Sequence, residues 1–247
     1  MKVIDILCNI LFPEQPVCLF CERKRESYEV RYICTDCLQK ITFFEQFCEK
    51  CGRHLVREGI EKKQVCHFCL HEEVNFDRAR ACALYFGGLK KFIADFKYHD
   101  QPNLARGFGF LMSEYFSEFF GSLVVDGVLP IPLHKKRLVD RGYNQAQLLA
   151  EELCHYLSLP LYDNFLIRKK ETAPLYEMNY KQRKLAVKNA FTLNEKRKKY
   201  QDKSFLLIDD IFTTGSTVNE AAGLLKNKGG VRNIYVLTLA TGTVPER

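Results

Sequence analysis

No stretch of this 247-residue chain is long and apolar enough to cross a bilayer. Residues 1–12 are apolar, but Asp5 and Asn9 interrupt them, and no small-residue cleavage site follows. A secretory leader is therefore not expected; an amphipathic helix packed on the first domain is. Two nucleotide signatures are missing as well. There is no G-x-x-x-x-G-K-[ST] run, which excludes a Walker phosphate loop, and no G-x-G-x-x-G, which excludes the dinucleotide fingerprint.

What is present begins with sulfur. Eleven cysteines without a leader point to a reducing, cytoplasmic setting, where cysteine pairs ligate metal more often than they cross-link. Eight of them form four pairs: Cys18-x-x-Cys21, Cys34-x-x-Cys37, Cys48-x-x-Cys51 and Cys66-x-x-Cys69, separated by 12, 10 and 14 residues. Each pair can form a knuckle that aims two thiolates at one point, and two knuckles complete a tetrahedral site suited to Zn²⁺. Two closed zinc sites follow, with sequential and interleaved pairing both open. A redox Cys-x-x-Cys would instead come singly beside a βαβ unit. With four sulfurs and no open position, such sites are structural; metal supplies folding free energy on the order of 10 kcal/mol per site. His54, His67 and His71 are read as surface residues rather than ligands. Cys82 and Cys154 lie in apolar settings and read as inert core.

The net charge of +7 is uneven. Residues 131–200 hold 15 Lys or Arg against 7 Asp or Glu, an excess of +8, and the rest of the chain is 22 against 23, or −1. That field attracts phosphates, a nucleic-acid backbone or an acidic partner. The basic run at 196–199 reads as a solvated loop.

From about residue 79 the pattern becomes α/β. Strands are expected at 81–86, 124–131, 205–208 and 233–239, and helices at 89–98, 104–120, 144–157 and 217–228. The chain thus divides into a small Cys-rich part, 1–78, and a larger part, 79–247. Alternating elements imply a mostly parallel sheet covered on both faces, with ligands beyond the carboxyl ends of its strands.

Residues 206–217, LLIDDIFTTGST, hold the densest chemistry. An apolar strand ends at Asp209 and Asp210. A loop with Thr213, Thr214, Gly215, Ser216 and Thr217 leads into a helix, and one hydroxyl is expected to cap it. Free N–H groups and the helix dipole favour a phosphate there, Gly215 permits close approach, and the hydroxyls add donors. Paired carboxylates accept from vicinal hydroxyls or hold Mg²⁺ through water. Phosphate donors beside diol acceptors describe a ribose 5-phosphate.

This run resembles the phosphoribosyl-pyrophosphate (PRPP) signature of type I phosphoribosyltransferases. By the resemblance, Asp209 and Asp210 contact the ribose hydroxyls, and residues 213–217 hold the 5-phosphate. Phe96-Lys97-Tyr98-His99, the segment 130–137, Arg141-Gly142-Tyr143-Asn144-Gln145-Ala146, residues 172–191 with Arg183 and Asn189, and the double cysteine ribbon look like the ComF family of competence-associated proteins. Thr172-Ala173-Pro174-Leu175 departs from that family's more usual Thr-x-Pro-Gln. The implied fold is a double zinc ribbon before a type I phosphoribosyltransferase-like domain. PRPP with Mg²⁺ is the implied ligand. The implied role is uptake or handling of single-stranded DNA in transformation, with a helicase-like competence protein as a partner and any contact with the inner membrane face peripheral.

Phosphoribosyl transfer would need positive groups around the pyrophosphate. Lys135, Lys136, Arg137 and Arg141 are placed for such a loop, and residues 168–184 for a mobile flap. No residue stands out as a general acid or base, and no base-selecting hood is evident. A true phosphoribosyltransferase of nucleotide metabolism and a zinc-ribbon adaptor with a non-catalytic PRPP fold are therefore the alternatives.

Overall fold

The computed structural model describes residues 17–24, 32–55, 65–172, 178–194 and 200–242. The expected N-terminal helix and the basic run at 196–199 lie outside them. Two short helices belong to the cysteine-rich part, α1 (Thr35–Leu38) and α2 (His67–His71). The α/β part follows with β1 (Arg78–Leu84), α3 (Gly87–Tyr98), α4 (Leu104–Phe120), β2 (Gly127–Pro130), α5 (Lys135–Arg141), α6 (Gln145–Leu157), β3 (Leu166–Arg168), α7 (Tyr180–Val187), β4 (Phe191–Leu193), β5 (Ser204–Phe212), α8 (Ser216–Gly229) and β6 (Asn233–Thr241).

Four strands form a parallel sheet in the order β1-β6-β5-β2, and β3 and β4 form a separate antiparallel pair. In central β5, Phe205, Leu206, Leu207 and Ile208 are fully buried. Their alternation sorts them by face. Leu206 and Ile208 join one core with α3, α4 and α6. Phe205 and Leu207 join the other with Phe165, Phe191 and α8.

The helices follow their sequence patterns. In α4 the buried Leu104, Phe108, Met112, Phe116 and Phe120 recur every fourth residue, one stripe against the sheet. In α6 the Asn144 side chain accepts from the Ala146 amide at 3.1 Å, capping a helix that buries Ala146, Leu149, Ala150 and Leu153.

Each ribbon sits on a different core. Phe20 packs edge-on against Phe92 and Phe108 at 4.8 and 5.0 Å in the first. Cys48 and Cys51 belong to the second. There the Ala79 amide donates to the Lys50 carbonyl at 2.9 Å, and Arg80 Nη2 donates to Glu49 Oε2 at 2.9 Å.

Two expectations need correction. Strand β5 does not stop at 208: it stays paired with β6 through Phe212, so the two aspartates lie within the strand. The segment 135–141 is a helix rather than a loop. The flap segment contains α7, begun by an Asn179/Gln182 capping box. Helices of seven and eight residues carry too few apolar positions for a readable period.

Candidate functional site

Strand β2 ends at Pro130, opposite Ile208, so β5 runs on past its neighbour. That leaves an open crevice of about 950 Å³ beyond the end of β2. Asp209, Asp210, Thr213 and Thr217 line it with Lys97, Tyr98, Arg137, Arg141, Arg168 and Arg183.

The alternation of β5 continues into the acidic pair. Asp210 faces the α3 side and forms an ion pair with Lys97 at 2.7 Å. Asp209 faces the other side, in the field of Arg168, and its Oδ1 accepts the Asp210 amide at 2.9 Å. Burial, reinforced by the Asp210 charge, pushes the Asp209 carboxyl up to about 7, against the opposing pull of that amide, Lys97 and Arg168. Arg168 is buried, which lowers its guanidinium from its usual value; its Nη2 donates to Thr172 Oγ1 at 2.8 Å, and its plane lies over Phe191 at 5.5 Å.

The hydroxyl loop turns at Gly215, whose φ of +75° is the left-handed conformation glycine tolerates. Gly215 is itself the N-cap of α8, with no side-chain cap bond, contrary to the expected hydroxyl cap. Thr214 Oγ1 and Ser216 Oγ bond each other at 2.9 Å instead. The Ser216 amide also leans on Thr214 Oγ1 at 3.4 Å, and the helix dipole with the following amides of the first turn of α8 suits an anion.

The four basic candidates separate. Arg137 and Arg141 line the crevice, with Arg137 Nη2 donating to the Thr172 carbonyl and Arg141 Nη1 to Gln145 Oε1, each at 2.8 Å. Lys135 and Lys136 are exposed and outside the lining; Lys136 pairs with Glu171 at 3.1 Å. Sequence reasoning gave Lys97 no role at the site and Arg168 only a place at the start of the flap segment. Each lies far along the chain from Asp209, and only the strand alternation brings them to the carboxylates. Of Thr172-Ala173-Pro174-Leu175, only Thr172 lies within the described residues.

The cysteines cluster sequentially, Cys18, Cys21, Cys34 and Cys37 in one group and Cys48, Cys51, Cys66 and Cys69 in the other. Within each group all four sulfurs lie within 4.8 Å of one another. Cys21 and Cys34, and Cys51 and Cys66, are 3.7 Å apart sulfur to sulfur. The edge of a tetrahedron with ~2.3 Å Zn–S bonds is about 3.8 Å. The donor set and spacing therefore fit zinc. Hydrogen bonds from Cys51, Cys66 and Cys69 hold the Cys48 thiol far down, whereas hydrogen bonding within the group, led by Cys48, pushes Cys69 far up. A bound cation would let all four thiols of such a group ionise together. None of the three histidines belongs to either cluster. Burial pushes the Cys154 thiol up to about 12 and Cys82 higher, so both are inert at neutral pH.

Residues 7–83 match the family description "Double zinc ribbon domain", and residues 141–245 match "Phosphoribosyl transferase domain". A double zinc ribbon before a type I phosphoribosyltransferase-like fold is thus the class. Competence protein F of Haemophilus influenzae is 32% identical over 211 residues, covering 84% of this chain and 90% of that protein. The chain belongs to the ComF family. Competence protein ComFC of Bacillus subtilis is 27% identical over 245 residues, covering 96% and 95% of the two chains. DNA utilization protein YhgH of Escherichia coli K12 is 28% identical over 200 residues, covering 80% and 85%. Among the described residues no helix is long and apolar enough to cross a membrane.

Proposed function

We propose that this chain binds PRPP, or a related phosphoribosyl ligand, with Mg²⁺ in the β5 crevice. In that state it assists the handling of single-stranded DNA in natural transformation, on the cytoplasmic side. One observation carries the ligand reading: two adjacent carboxylates on opposite faces of one strand, followed at once by a glycine-turned hydroxyl loop and a helix N-terminus. The helix end and hydroxyls suit the 5-phosphate. Asp209 and Asp210 suit the ribose hydroxyls and, through water, Mg²⁺. The lining holds five cations, Lys97, Arg137, Arg141, Arg168 and Arg183, against four carboxylates, Asp100, Asp140, Asp209 and Asp210. That narrow excess leaves most of a pyrophosphate's charge for the metal to neutralise.

The DNA role rests on the relatives named for competence and DNA utilization, with the basic stretch 131–200 supplying a compatible charge. A helicase-like competence protein is the proposed partner. Contact with DNA through phosphates would weaken steeply with salt.

Calorimetric titration of Mg²⁺–PRPP into the zinc-loaded protein tests the ligand reading, beside Asp209→Asn/Asp210→Asn. Saturable binding that the double variant loses supports it; no heat with the natural protein would end it. Pyrophosphate release over a panel of bases and amines then separates a transferase from a binding protein.

A further inference from the structure

The two ribbons repeat each other. In each, the first cysteine amide donates five residues ahead, Cys18 to the Arg23 carbonyl at 2.9 Å and Cys48 to the Arg53 carbonyl at 2.8 Å. In each, the third cysteine amide donates to the first sulfur at 3.3 Å. Arg23 and Arg53 therefore occupy equivalent places.

Their side chains have different fates. Arg23 stays in water, 3.7 Å from Asp36, with the two side chains 74% and 69% exposed. Arg53 is 7% exposed. Its guanidinium lies 5.0 Å from the Phe68 ring and 5.7 Å from the Phe212 ring, and Nη2 donates to the Thr213 carbonyl at 3.2 Å. Its Nε has no partner among the described residues. Burying a guanidinium so sparsely bonded is costly, and an apolar chain would fill the slot between two rings more cheaply. The remaining reason for an arginine is the carbonyl it holds. Thr213 opens the hydroxyl loop, and in a planar trans peptide a carbonyl held toward the ribbon turns the Thr214 N–H away from it.

The same ribbon reaches the site by a second route. Glu72 accepts from Lys184 Nζ at 2.8 Å and from Tyr180 OH at 3.1 Å, both on α7, whose Arg183 lines the crevice. The first ribbon meets the α/β part elsewhere, through Phe20 and through Tyr32, whose ring lies 5.0 Å from the Arg106 guanidinium.

We propose that Arg53 is a positioning residue for the phosphate loop, through which the second zinc ribbon sets the loop's backbone for an anion. This rests on the PRPP reading for its ligand, but not for the brace itself.

The test compares Arg53→Met, which keeps the length between the rings and loses the donor, with Arg53→Lys, which keeps one donor without the fork. Both are studied as zinc-loaded full chains. Amide exchange of residues 213–217 is followed without ligand, Mg²⁺–PRPP affinity by calorimetry, and zinc by release assay. Arg53→Met is expected to retain two zincs per chain, to exchange about tenfold faster in the loop and to bind PRPP about tenfold more weakly, the scale of one charge-assisted hydrogen bond. Arg53→Lys is expected to fall between the two. Natural loop exchange in Arg53→Met, or equal impairment of both variants, overturns the proposal. If Arg53→Met loses zinc, Arg53→Lys decides: intermediate exchange supports the brace and natural exchange ends it. A natural protein that binds no PRPP while Arg53→Met still speeds the loop would overturn the ligand reading and leave the brace standing.

Discussion

Lys97 Nζ lies 2.7 Å from Asp210 Oδ2, and the two side chains are only 14% and 16% exposed. The pair ties the last turn of α3 to the end of β5. Asp209, one residue earlier, turns to the opposite face and the field of Arg168. Lys97 thus pairs directly with Asp210 and also pulls on Asp209, while Arg168 acts on Asp209 from the other face of the strand.

Removing that lysine leaves Asp210 without its partner beside a second acid. Lys97→Met is expected to cost about 2 kcal/mol at pH 7, the scale of a charged hydrogen bond lost in a shielded place. Lys97→Met/Asp210→Asn should recover most of the loss. Urea unfolding of the four proteins in a double-mutant cycle gives the coupling, and additive losses would show that the pair contributes nothing.

The raised Asp209 carboxyl sets a pH signature. Its folded value is about 7 against an ordinary 3.8. Between those values the folded chain holds a proton that the unfolded chain has released, so stability falls as pH rises from about 4 to 7 and then levels. The cost at neutral pH is on the order of 4 kcal/mol. Asp209→Asn should therefore stabilise the protein above pH 7 and lose that advantage near pH 4. Thermal unfolding across the range checks it; a gain independent of pH would remove the carboxyl as its source. A cation–ligand complex that needs the ionised carboxylate should bind more tightly as pH rises through 7.

Much of this site was legible because its chemistry is contiguous. Asp209 to Thr217 carry strand end, acids, glycine and hydroxyls in one run, so no tertiary knowledge was needed to see that they lie together. The zinc ligands were legible by spacing, but their pairing was not, since both groupings satisfy the same sulfur count. The action of Lys97 and Arg168 on the two aspartates lay beyond reach for a different reason. Their roles arise from which face of β5 each aspartate takes, and that depends on β5 running through Phe212 instead of stopping at Ile208. Lys135 and Lys136 looked equivalent to Arg137 and Arg141 in a loop; winding the segment into α5 sends them to solvent.

Gly215 has the backbone conformation that a side chain resists, and a Cβ there would meet Phe212 Cζ at 2.5 Å. Gly215→Ala should cost about 2 to 3 kcal/mol from left-handed strain and the ring's displacement. Because Phe212 also lies against Arg53, ligand binding should fall more than stability alone explains. Gly142, at φ +79° with nothing within 4 Å of a Cβ, is the control: Gly142→Ala should pay only the strain. Calorimetry and thermal unfolding of both variants measure the difference, and equal effects would deny Gly215 any packing role.

The first ribbon leads to a last prediction, about cooperativity. Cys18 and Cys37 are 0% and 1% exposed, and Phe20, inside the first knuckle, enters the core of the α/β part. The fit is close enough that a Cβ on Gly107 of α4 would stand 2.5 Å from the Phe20 ring. Zinc at this site therefore holds a core side chain of the neighbouring part, and losing the metal should loosen both together. Phe20→Ala should keep both zincs and cost about 3 to 4 kcal/mol, the usual range for a deleted core phenylalanine. Cys18→Ser/Cys37→Ser should bind one zinc and lower the melting of the whole chain by at least as much, since it frees the ribbon backbone as well as the ring. A calorimetric scan with one broadened or lowered transition is the expected result. Two transitions, with the α/β part melting at its natural temperature after the first zinc is gone, would show that the ribbon folds as an independent appendage.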